Sequence, residues 1–342
     1  KAKRTEKQHV LKSARTEAKT KLVSLDHEKL HRKGNKNMGS LSNTPQLPVI
    51  YLSDQTLKPG SSKWVEVRSD VRKALEEYGG FEVSYDRVSE ELKKSVLQAM
   101  EELFALPVEA KQRNVSPKPF SGYSTHNGLS ESMGIQDPHV LDKVYEFTQL
   151  LRPDHCDGNK SISETIQTFS EKLSELDIMV RRMVMESFGI EKYLDKHLNS
   201  TNYRLRLMKY IAPPDADATN VLTKDDKWIR LKPSHNSFVV MAGDSLYLTL
   251  TRTDVHALMN GRLTRPFHRV RVTEKKKTRY SIALFSAPTA DYIIDTPKEL
   301  VDEKHPRIFE PFNYNDLMSF YHSEAGRKAR STLDAFCAVS RA

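Results

Sequence analysis

The spacing of apolar residues along the chain changes near residue 200. Before that point, apolar positions recur every three or four residues in three stretches, 64–78, 92–103 and 166–188. This period predicts helices that bury one face. A capping box at Ser161 and Glu164 precedes the longest stretch and predicts where that helix begins. The first half of the chain is therefore expected to be mainly helical.

The second half has the pattern of β-structure. Short runs of apolar and β-branched residues alternate with turns that contain Gly, Pro and charged residues. Several short strands at this spacing predict a sandwich or a jelly roll. The predicted strands are 203–211, 228–231, 237–241, 246–251, 267–272, 279–285 and 292–294. Helical spacing returns at 314–320 and 324–337, so the fold class is predicted to be α+β.

Two polar stretches interrupt the helical half. Residues 113–137 are rich in Ser and Gly, and residues 153–162 are also polar. Both predict loops, and a loop as long as the first is usually functional or disordered. Phe120 and Tyr123 are the aromatic residues in the longer stretch.

Positive charge is concentrated in the first 37 residues. They hold 12 Lys and Arg against 4 Asp and Glu, a net charge of +8. The rest of the chain holds 42 Lys and Arg against 41 Asp and Glu, a net charge of +1. A nucleic-acid-binding arm and a solvated extension without a function both explain such a tail. Because it has few apolar residues, we expect it to be disordered or weakly helical.

Composition argues against a membrane protein and against a disulfide framework. No stretch has the roughly 20 apolar residues that a membrane helix needs. The two cysteines, Cys156 and Cys337, match no metal-binding or redox spacing. A cytoplasmic protein is the expectation, and we expect it to be a monomer that binds neither membranes nor nucleic acid.

The segment 266–284 carries the most informative side chains. His268 is followed after ten residues by Arg279-x-Ser281, and alternating apolar residues around both predict neighbouring strands. Oxygenases that use non-haem iron(II) hold it with two His and one carboxylate. An arginine fork beside a hydroxyl suits a carboxylate. The pattern indicates iron next to a dicarboxylate, although a β hairpin without a site would also explain it.

Seven blocks of sequence between Leu47 and Ala338 carry a resemblance to a known family. They are LPVIYLSD, EEYGGFEV, YRLRLMKYIAPPDADAT, NSFVVMAGDSL, NGRLTRPFHRVRV, TRYSIALFSAP and FYHSEAGRKARSTLDAF. The chain resembles the plant 2-oxoglutarate- and iron(II)-dependent dioxygenases, in the branch that includes glucosinolate side-chain-modifying and related specialised-metabolism oxygenases. The resemblance implies a double-stranded β-helix, or jelly roll, with a helical N-terminal region packed on it.

The resemblance also implies roles for particular residues. His268 matches the distal iron-binding histidine, and Arg279 with Ser281 matches the pair that holds the 5-carboxylate of 2-oxoglutarate. Tyr210 matches a tyrosine near the 1-carboxylate, and Phe285 a position that faces the substrate. Each of these two aromatic residues, taken alone, would also suit the core.

Cofactors, substrate and domains follow from the same resemblance. It implies Fe(II), 2-oxoglutarate and O2 with ascorbate as reductant, and oxidation of a small plant metabolite with release of succinate and CO2. The loop around Phe120 and Tyr123 is expected to contribute to the substrate pocket. The expected divisions are a basic extension (1–37), an N-terminal dioxygenase region (47–190), a jelly-roll domain (201–290) and a helical C-terminal segment (291–342).

One part of the family pattern is missing. The family has a His-x-Asp pair, which supplies the other two iron ligands, in a segment of roughly twenty residues after the Pro-Pro turn. Here 212–220 runs directly into 221–231, and neither stretch contains a histidine. His155-Cys156-Asp157 matches the His-x-Asp motif, but it lies in a predicted loop more than a hundred residues before His268. We therefore expect an incomplete jelly-roll core, weak or absent iron binding, and impaired activity or a non-catalytic carboxylate-binding protein.

Overall fold

Helices fill most of the chain before residue 200. The computed structural model describes residues 46–54, 56–116, 121–126, 128–211, 220–222, 228–231, 237–242, 253–269, 278–329 and 331–339. The basic extension 1–37 and Phe120 lie outside these residues. The helices of this half are α1 Ser62–Glu77, α2 Glu90–Ala105, α3 Val108–Lys111, α4 Leu141–Leu151, α5 Cys156–Ser187 and α6 Leu194–Asn199.

Serine side chains begin the first two long helices. The Ser61 hydroxyl accepts a hydrogen bond from the Trp64 backbone N–H at 3.1 Å, and the Ser89 hydroxyl accepts one from the Leu92 N–H at 3.2 Å. Each bond satisfies an N–H that has no partner within its own helix. The two serines are therefore the N-caps of α1 and α2.

The strands form one four-stranded sheet and three smaller sheets. In the described residues the large sheet has the order β10-β5-β4-β3, and the others have the orders β7-β6-β9, β1-β2-β8 and β11-β12. Every pair in the large sheet is antiparallel. The strands are β1 Val49–Tyr51, β2 Gly80–Ser84, β3 Ser124–His126, β4 Ser130–Gln136, β5 Thr201–Ile211, β6 Asn220–Leu222, β7 Trp228–Arg230, β8 Ser237–Met241, β9 Phe267–Arg269, β10 Thr278–Pro288, β11 Ile293–Ile294 and β12 Phe312–Asn313.

Four short helices complete the described part of the chain. They are α7 Thr253–Leu258, α8 Tyr314–His322, α9 Glu324–Lys328 and α10 Thr332–Cys337. The single helix predicted over 324–337 is therefore two helices. In the ranges described, no helix is long and apolar enough to cross a membrane.

One face of the large sheet packs against the helices. Side chains alternate between the two faces of a strand, so Leu205 and Leu207 of β5 share a face with Ile282 and Leu284, their partners on β10. This face contacts an apolar cluster built from α2, α4 and the start of α5. The side chains at the alternate positions of these strands lie on the opposite face.

A polar network is buried on the same helix-facing side. Asp177 and Arg181 of α5 form an ion pair at 2.7 Å and are 8% and 5% exposed. Tyr203 donates a hydrogen bond to Asp177 at 3.1 Å, and Arg181 contacts Ser286 and His197. The network joins α5 and α6 to β5 and β10, and it balances the charge of one buried arginine with a carboxylate.

The long polar stretch 113–137 is only partly a loop. Its second half contains β3 and β4, and β4 is a central strand of the large sheet. Met133 and Ile135 point to the helices, while Ser132 and Gly134 between them lie on the other face. The loop prediction was wrong here because small polar residues concealed the alternation of a strand with only one apolar face.

The longest helix begins earlier than its capping box predicts. Helix α5 starts at Cys156, so His155-Cys156-Asp157 marks the N-terminus of a helix and is not part of a polar loop. The side chain of Asn159 donates to the Arg152 carbonyl at 2.7 Å and ties this first turn to the end of α4. These tertiary contacts extend the helix beyond the local cap.

A buried histidine fixes the turn that leads into β9. His256 lies in α7, and its Nδ1–H donates to the Leu263 carbonyl at 2.6 Å while its ring packs edge-on against Phe309. Burial, reinforced by Arg265, lowers the pKa of His256 to about 4. The imidazole is therefore neutral in the folded protein, and His256 has a structural role.

We predict that His256 makes stability depend on pH between about 6.5 and 4. The unfolded histidine takes up a proton in this window and the folded one does not, so stability is complete above pH 6.5 and is lost as pH falls toward 4. The loss from this residue is about 3 kcal/mol, the order expected for a pKa shift of this size. Urea unfolding of the wild type at pH 7 and pH 4 measures it.

His256→Asn is the matched variant, since its amide still donates to the Leu263 carbonyl and does not titrate. Between the same two pH values it should lose about 3 kcal/mol less than the wild type. Equal losses in the two proteins would contradict the prediction.

Candidate functional site

The face of the large sheet that is turned away from the helices is polar and positively charged. Residues paired across antiparallel strands share a face, so the register of β4, β5 and β10 defines its members. Three of the twelve are arginines and none is acidic. They are Ser130, Ser132, Gly134 and Gln136 of β4, Arg204, Arg206, Met208 and Tyr210 of β5, and Arg279, Ser281, Ala283 and Phe285 of β10.

Arg279, Ser281 and Tyr210 lie together at one end of this face. Arg279 pairs directly with Tyr210, and its Cζ lies 5.8 Å from the centre of the Tyr210 ring. Ser281 is the next residue of β10 on the same face, about 7 Å along the strand, since a strand rises about 3.4 Å per residue. The structure therefore brings together the three residues predicted to hold 2-oxoglutarate.

Tyr210 is held in its protonated form. Burial raises the pKa of its hydroxyl, and the nearby guanidinium groups of Arg206 and Arg279 oppose that effect. The hydroxyl donates a hydrogen bond to the Met208 sulfur at 3.3 Å. At neutral pH it is thus a neutral donor beside Met208, the residue of β5 that pairs with Ser281 of β10.

This arrangement suits a carboxylate. A guanidinium binds a carboxylate with two parallel N–H bonds, and charge-assisted bonds of this kind are stronger than neutral ones. A serine and a tyrosine hydroxyl on the same face add two neutral donors. Because the face contributes no acidic side chain, its charge favours an anion there.

Phe285 lies on the same face, farther along β10. It pairs with Arg204 and is buried. Ala283 stands between it and Ser281, so a small side chain separates the carboxylate end from the aromatic end. This placement is compatible with the predicted substrate-facing role of Phe285.

Tyr123 lies on the other side of the sheet. Its ring packs with the helix-side cluster, and its hydroxyl donates to Glu131 at 3.2 Å. Glu131 in turn forms an ion pair at 2.9 Å with Lys111, which is 3% exposed. The structure therefore does not bring Tyr123 to the face of Arg279, and Phe120 lies outside the described residues.

His268 belongs to a different sheet from Arg279. It lies in β9, opposite Val221 of β6, whereas Arg279 is in β10, which pairs with β5. The expectation that the two lie on neighbouring strands was wrong for the described part of the chain. The strands are consecutive in sequence but belong to separate sheets. Burial lowers the pKa of His268, which favours the neutral form that binds metals.

A three-ligand iron site is not complete in the described part of the chain. Within the ranges given above, no group of three or more His, Cys, Asp or Glu is placed to hold a metal ion. The family's iron(II) site needs two His and one carboxylate. The triplet His155-Cys156-Asp157 is exposed at the start of α5 and does not complete a site with His268. The described residues therefore fit 2-oxoglutarate but do not fit iron.

Sequence reasoning overlooked Arg204 and Arg206. Both lie on the charged face, and Arg206 is 5% exposed with its Nη2 donating to the Ser132 hydroxyl at 2.9 Å. The alternation of a strand was present in YRLRLMKY. Arg204, Arg206 and Tyr210 occupy even-numbered positions, whereas the two leucines occupy odd-numbered positions and so lie on the other face. The partner strand β4, which was predicted to be a loop, was needed to recognise it.

Comparison with known families matches two successive parts of the chain. Residues 47–164 match the family described as non-haem dioxygenase in morphine synthesis N-terminal, and residues 191–288 match the 2OG-Fe(II) oxygenase superfamily. The second range contains β5, β9 and β10 and so includes every residue predicted to bind iron or 2-oxoglutarate.

Individual relatives agree with this assignment. The Arabidopsis thaliana protein "Probable 2-oxoglutarate-dependent dioxygenase AOP1" is 57% identical over 322 positions, covering 86% of this chain and 96% of the relative. The "Probable inactive 2-oxoglutarate-dependent dioxygenase AOP2" of the same plant is 46% identical over 411 positions, covering 89% of this chain and 100% of the relative.

A solved structure agrees as well. The dioxygenase for auxin oxidation of rice aligns with a TM-score of 0.69 at 26% identity and covers 85% of this chain and 100% of that chain. The fold is therefore the jelly roll of these oxygenases with a helical N-terminal region. By these matches the chain belongs to the plant 2-oxoglutarate- and Fe(II)-dependent dioxygenases, a family of oxidoreductases that use 2-oxoglutarate, Fe(II) and O2.

Proposed function

We propose that this chain binds 2-oxoglutarate through Arg279, Ser281 and Tyr210, next to a pocket for a small plant metabolite. The family oxidises such metabolites with O2 and Fe(II). Phe285 lines the substrate side of the pocket, and His268 is the one iron ligand of the family pattern in this chain. Phe120 and Tyr123 are not part of this proposal, since Tyr123 packs on the helix side.

One observation carries the proposal. The Arg279 guanidinium, the Ser281 side chain and the Tyr210 ring share one face of the sheet. Arg279 pairs with Tyr210 across the two strands, and Ser281 belongs to the next pair on that face. An antiparallel sheet commonly has one apolar and one polar face, so the support comes from the grouping of a cation with two hydroxyl donors at one end of the polar face. The other roles are supported by position on this face or by the family resemblance.

We further propose that the iron site lacks two of its three protein ligands. The sequence contains no histidine between His197 and His235. The alignment of 322 positions with the AOP1 relative includes 86% of the 342-residue chain, about 294 residues, so about 28 positions of the relative have no counterpart here. A segment of roughly twenty residues missing between 212 and 231, as the family pattern implies, would account for most of that difference.

Such a chain would turn over poorly. One histidine does not hold iron(II) against water at useful affinity, because affinity depends on the number of ligands and on their geometry. The second candidate function is therefore a non-catalytic protein that keeps the carboxylate pocket. One relative is itself named a probable inactive 2-oxoglutarate-dependent dioxygenase, which supports keeping this second candidate.

The remaining features stand as proposals. We propose that the protein is a cytoplasmic monomer whose partner is a small molecule and not a nucleic acid. We also propose the divisions 1–37, 47–190, 201–290 and 291–342 as its functional regions. Alternative joining of exons would explain the loss of the whole His-x-Asp segment while the flanking family motifs are kept. Comparison of the gene with its transcript tests that explanation.

We predict that Arg279→Met weakens the binding of 2-oxoglutarate at least tenfold. The substitution removes charge-assisted hydrogen bonds to the distal carboxylate, and a bond to a charged group contributes about 1.5–3 kcal/mol. Tyr210→Phe and Ser281→Ala should each cost a few-fold, since each removes a neutral donor. Isothermal titration of the purified chain measures all three.

Arg204→Met is the matched control, because it removes an arginine from the same face but from the row of Phe285. It should leave the dissociation constant within a factor of two. If Arg279→Met behaves like this control, the 2-oxoglutarate site is elsewhere.

We predict weak iron binding and little turnover in the natural chain. An anaerobically prepared sample should contain far less than one Fe(II) per chain after desalting, because two of three ligands are missing. Oxygen uptake with 2-oxoglutarate and ascorbate should be at background. Insertion of the His-x-Asp segment of the AOP1 relative after residue 220 should raise both the Fe(II) content per chain and the rate of oxygen uptake.

The variant that combines this insertion with His268→Ala is the control, and it should lose the restored iron. Stoichiometric iron in the natural chain, or equal oxygen uptake with and without the insertion, would contradict the proposal that the ligands are missing.

A further inference from the structure

A buried asparagine that is followed by glycine lies beside the C-terminal part of the chain. Such a pair is chemically labile, because the backbone nitrogen of the glycine can attack the asparagine amide. We propose that Asn260-Gly261 is a modification site controlled by local opening of the fold. The closed fold protects Asn260 from deamidation, and the carboxylate that forms after an opening prevents the segment 300–308 from closing again.

The Asn260 side chain ties the turn after α7 to the segment 300–308. It is buried, and its Oδ1 accepts a hydrogen bond from the Ile308 N–H at 3.1 Å. Its Nδ2 lies 3.1–3.3 Å from three backbone carbonyl oxygens of the same segment, those of Leu300, His305 and Pro306. A single amide therefore supplies both donor and acceptor to one segment of the chain.

The backbone at this position favours an Asn-Gly pair. Both residues have a positive φ, +51° at Asn260 and +73° at Gly261. Asparagine adopts this left-handed region more readily than most residues with a side chain. A Cβ at Gly261 would collide with the side chain of Ile308. The fold thus selects this pair for its shape, and the chemical lability of the pair comes with it.

The closed structure restrains both groups that react. The Gly261 N–H, which becomes the nucleophile when it loses its proton, donates to the His256 carbonyl at 2.9 Å. The Asn260 amide nitrogen, which leaves as ammonia, is bonded to the segment 300–308. Ring closure turns the amide toward the Gly261 nitrogen and breaks these bonds. Deamidation therefore requires this segment to open first.

The reaction needs water as its only added reactant. The Gly261 nitrogen gives up its proton and bonds to the Asn260 Cγ, while the amide nitrogen takes up a proton and leaves as ammonia. Water then opens the cyclic imide and leaves aspartate or isoaspartate. The new carboxylate donates no hydrogen bond to the three carbonyl oxygens and is repelled by them. The segment 300–308 cannot close over it.

Deamidation rates test the protection. The full chain is incubated at mildly alkaline pH in native buffer and in urea, and peptide mass spectrometry follows the replacement of NH by O at Asn260. We expect the native chain to react about tenfold more slowly or less, because only opened molecules react. Asn127-Gly128, the other Asn-Gly pair of the sequence, gives the rate of an unfolded pair in urea.

Two results of this measurement would overturn the proposal. Equal rates at Asn260 in native buffer and in urea would show that the fold gives no protection. Failure of Asn260 to react in urea, where Asn127 reacts, would show that the pair is not a modification site.

A variant that loosens the segment without changing Asn260 tests the local opening. The Thr296 hydroxyl donates to the Ala257 carbonyl of α7 at 2.8 Å, so Thr296→Val should raise the native deamidation rate about threefold or more. Thr201→Val is the matched control, because it removes a bond of the same kind, to the His197 carbonyl at 2.8 Å, in another part of the chain. It should leave the rate unchanged.

An equal effect of the two variants would mean that only global unfolding exposes Asn260, and would overturn the local opening. If Thr296→Val does not fold, urea concentrations below the unfolding transition replace it. Local opening exposes little surface, so the deamidation rate should then depend only weakly on urea. A steep dependence would point to global unfolding and would overturn the inference.

Asn260→Asp tests whether the product keeps the segment open. Amide hydrogen exchange of residues 300–308 at neutral pH should be about tenfold faster or more than in the wild type. Asn260→Gly is the control, because glycine adopts the positive φ and removes the same hydrogen bonds but adds no charge. Its exchange should be slower than that of Asn260→Asp. Equal exchange in these two variants, or wild-type exchange in Asn260→Asp, would overturn the role of the carboxylate.

Discussion

The pairing of β5 with β10 is the constraint on which the rest of the structure depends. Both strands have 11 residues and pair along their whole length, so a shift of one residue would exchange every side chain between the two faces. In the native register the leucines of β5 and the apolar residues of β10 meet the helices. The same register places Arg279 opposite Tyr210. Apolar packing on one face therefore fixes which polar side chains are neighbours on the other face.

Polar residues lie on both sides of that sheet. On the helix side, Arg181 forms an ion pair with Asp177 of its own helix, and the pair is joined to the sheet by Tyr203 and Ser286. On the opposite face, the register of β4, β5 and β10 groups Arg204, Arg206 and Arg279 with serine and tyrosine side chains. The register that buries the apolar residues on one face therefore also fixes the positions of these polar side chains, among which the proposed 2-oxoglutarate site lies.

The residues proposed to hold 2-oxoglutarate and the histidine proposed to bind iron lie in separate sheets. Arg279, Ser281 and Tyr210 depend on β5 and β10, whereas His268 depends on the pairing of β9 with β6. The proposed loss of metal ligands between residues 212 and 231 would therefore leave Arg279, Ser281 and Tyr210 in register. For this reason the proposed function combines a 2-oxoglutarate site with an incomplete iron site in one chain.

The sequence alone determined the family, the helical first half and the candidate residues His268, Arg279, Ser281 and Tyr210. These features depend on local spacing and on side-chain chemistry, which a single sequence contains. Only the tertiary structure decided that 124–136 holds two strands, that Tyr123 faces the helices, and that Arg206 bonds to Ser132 of the neighbouring strand. Which face a residue occupies depends on partners distant in sequence, and neighbouring residues do not encode that pairing.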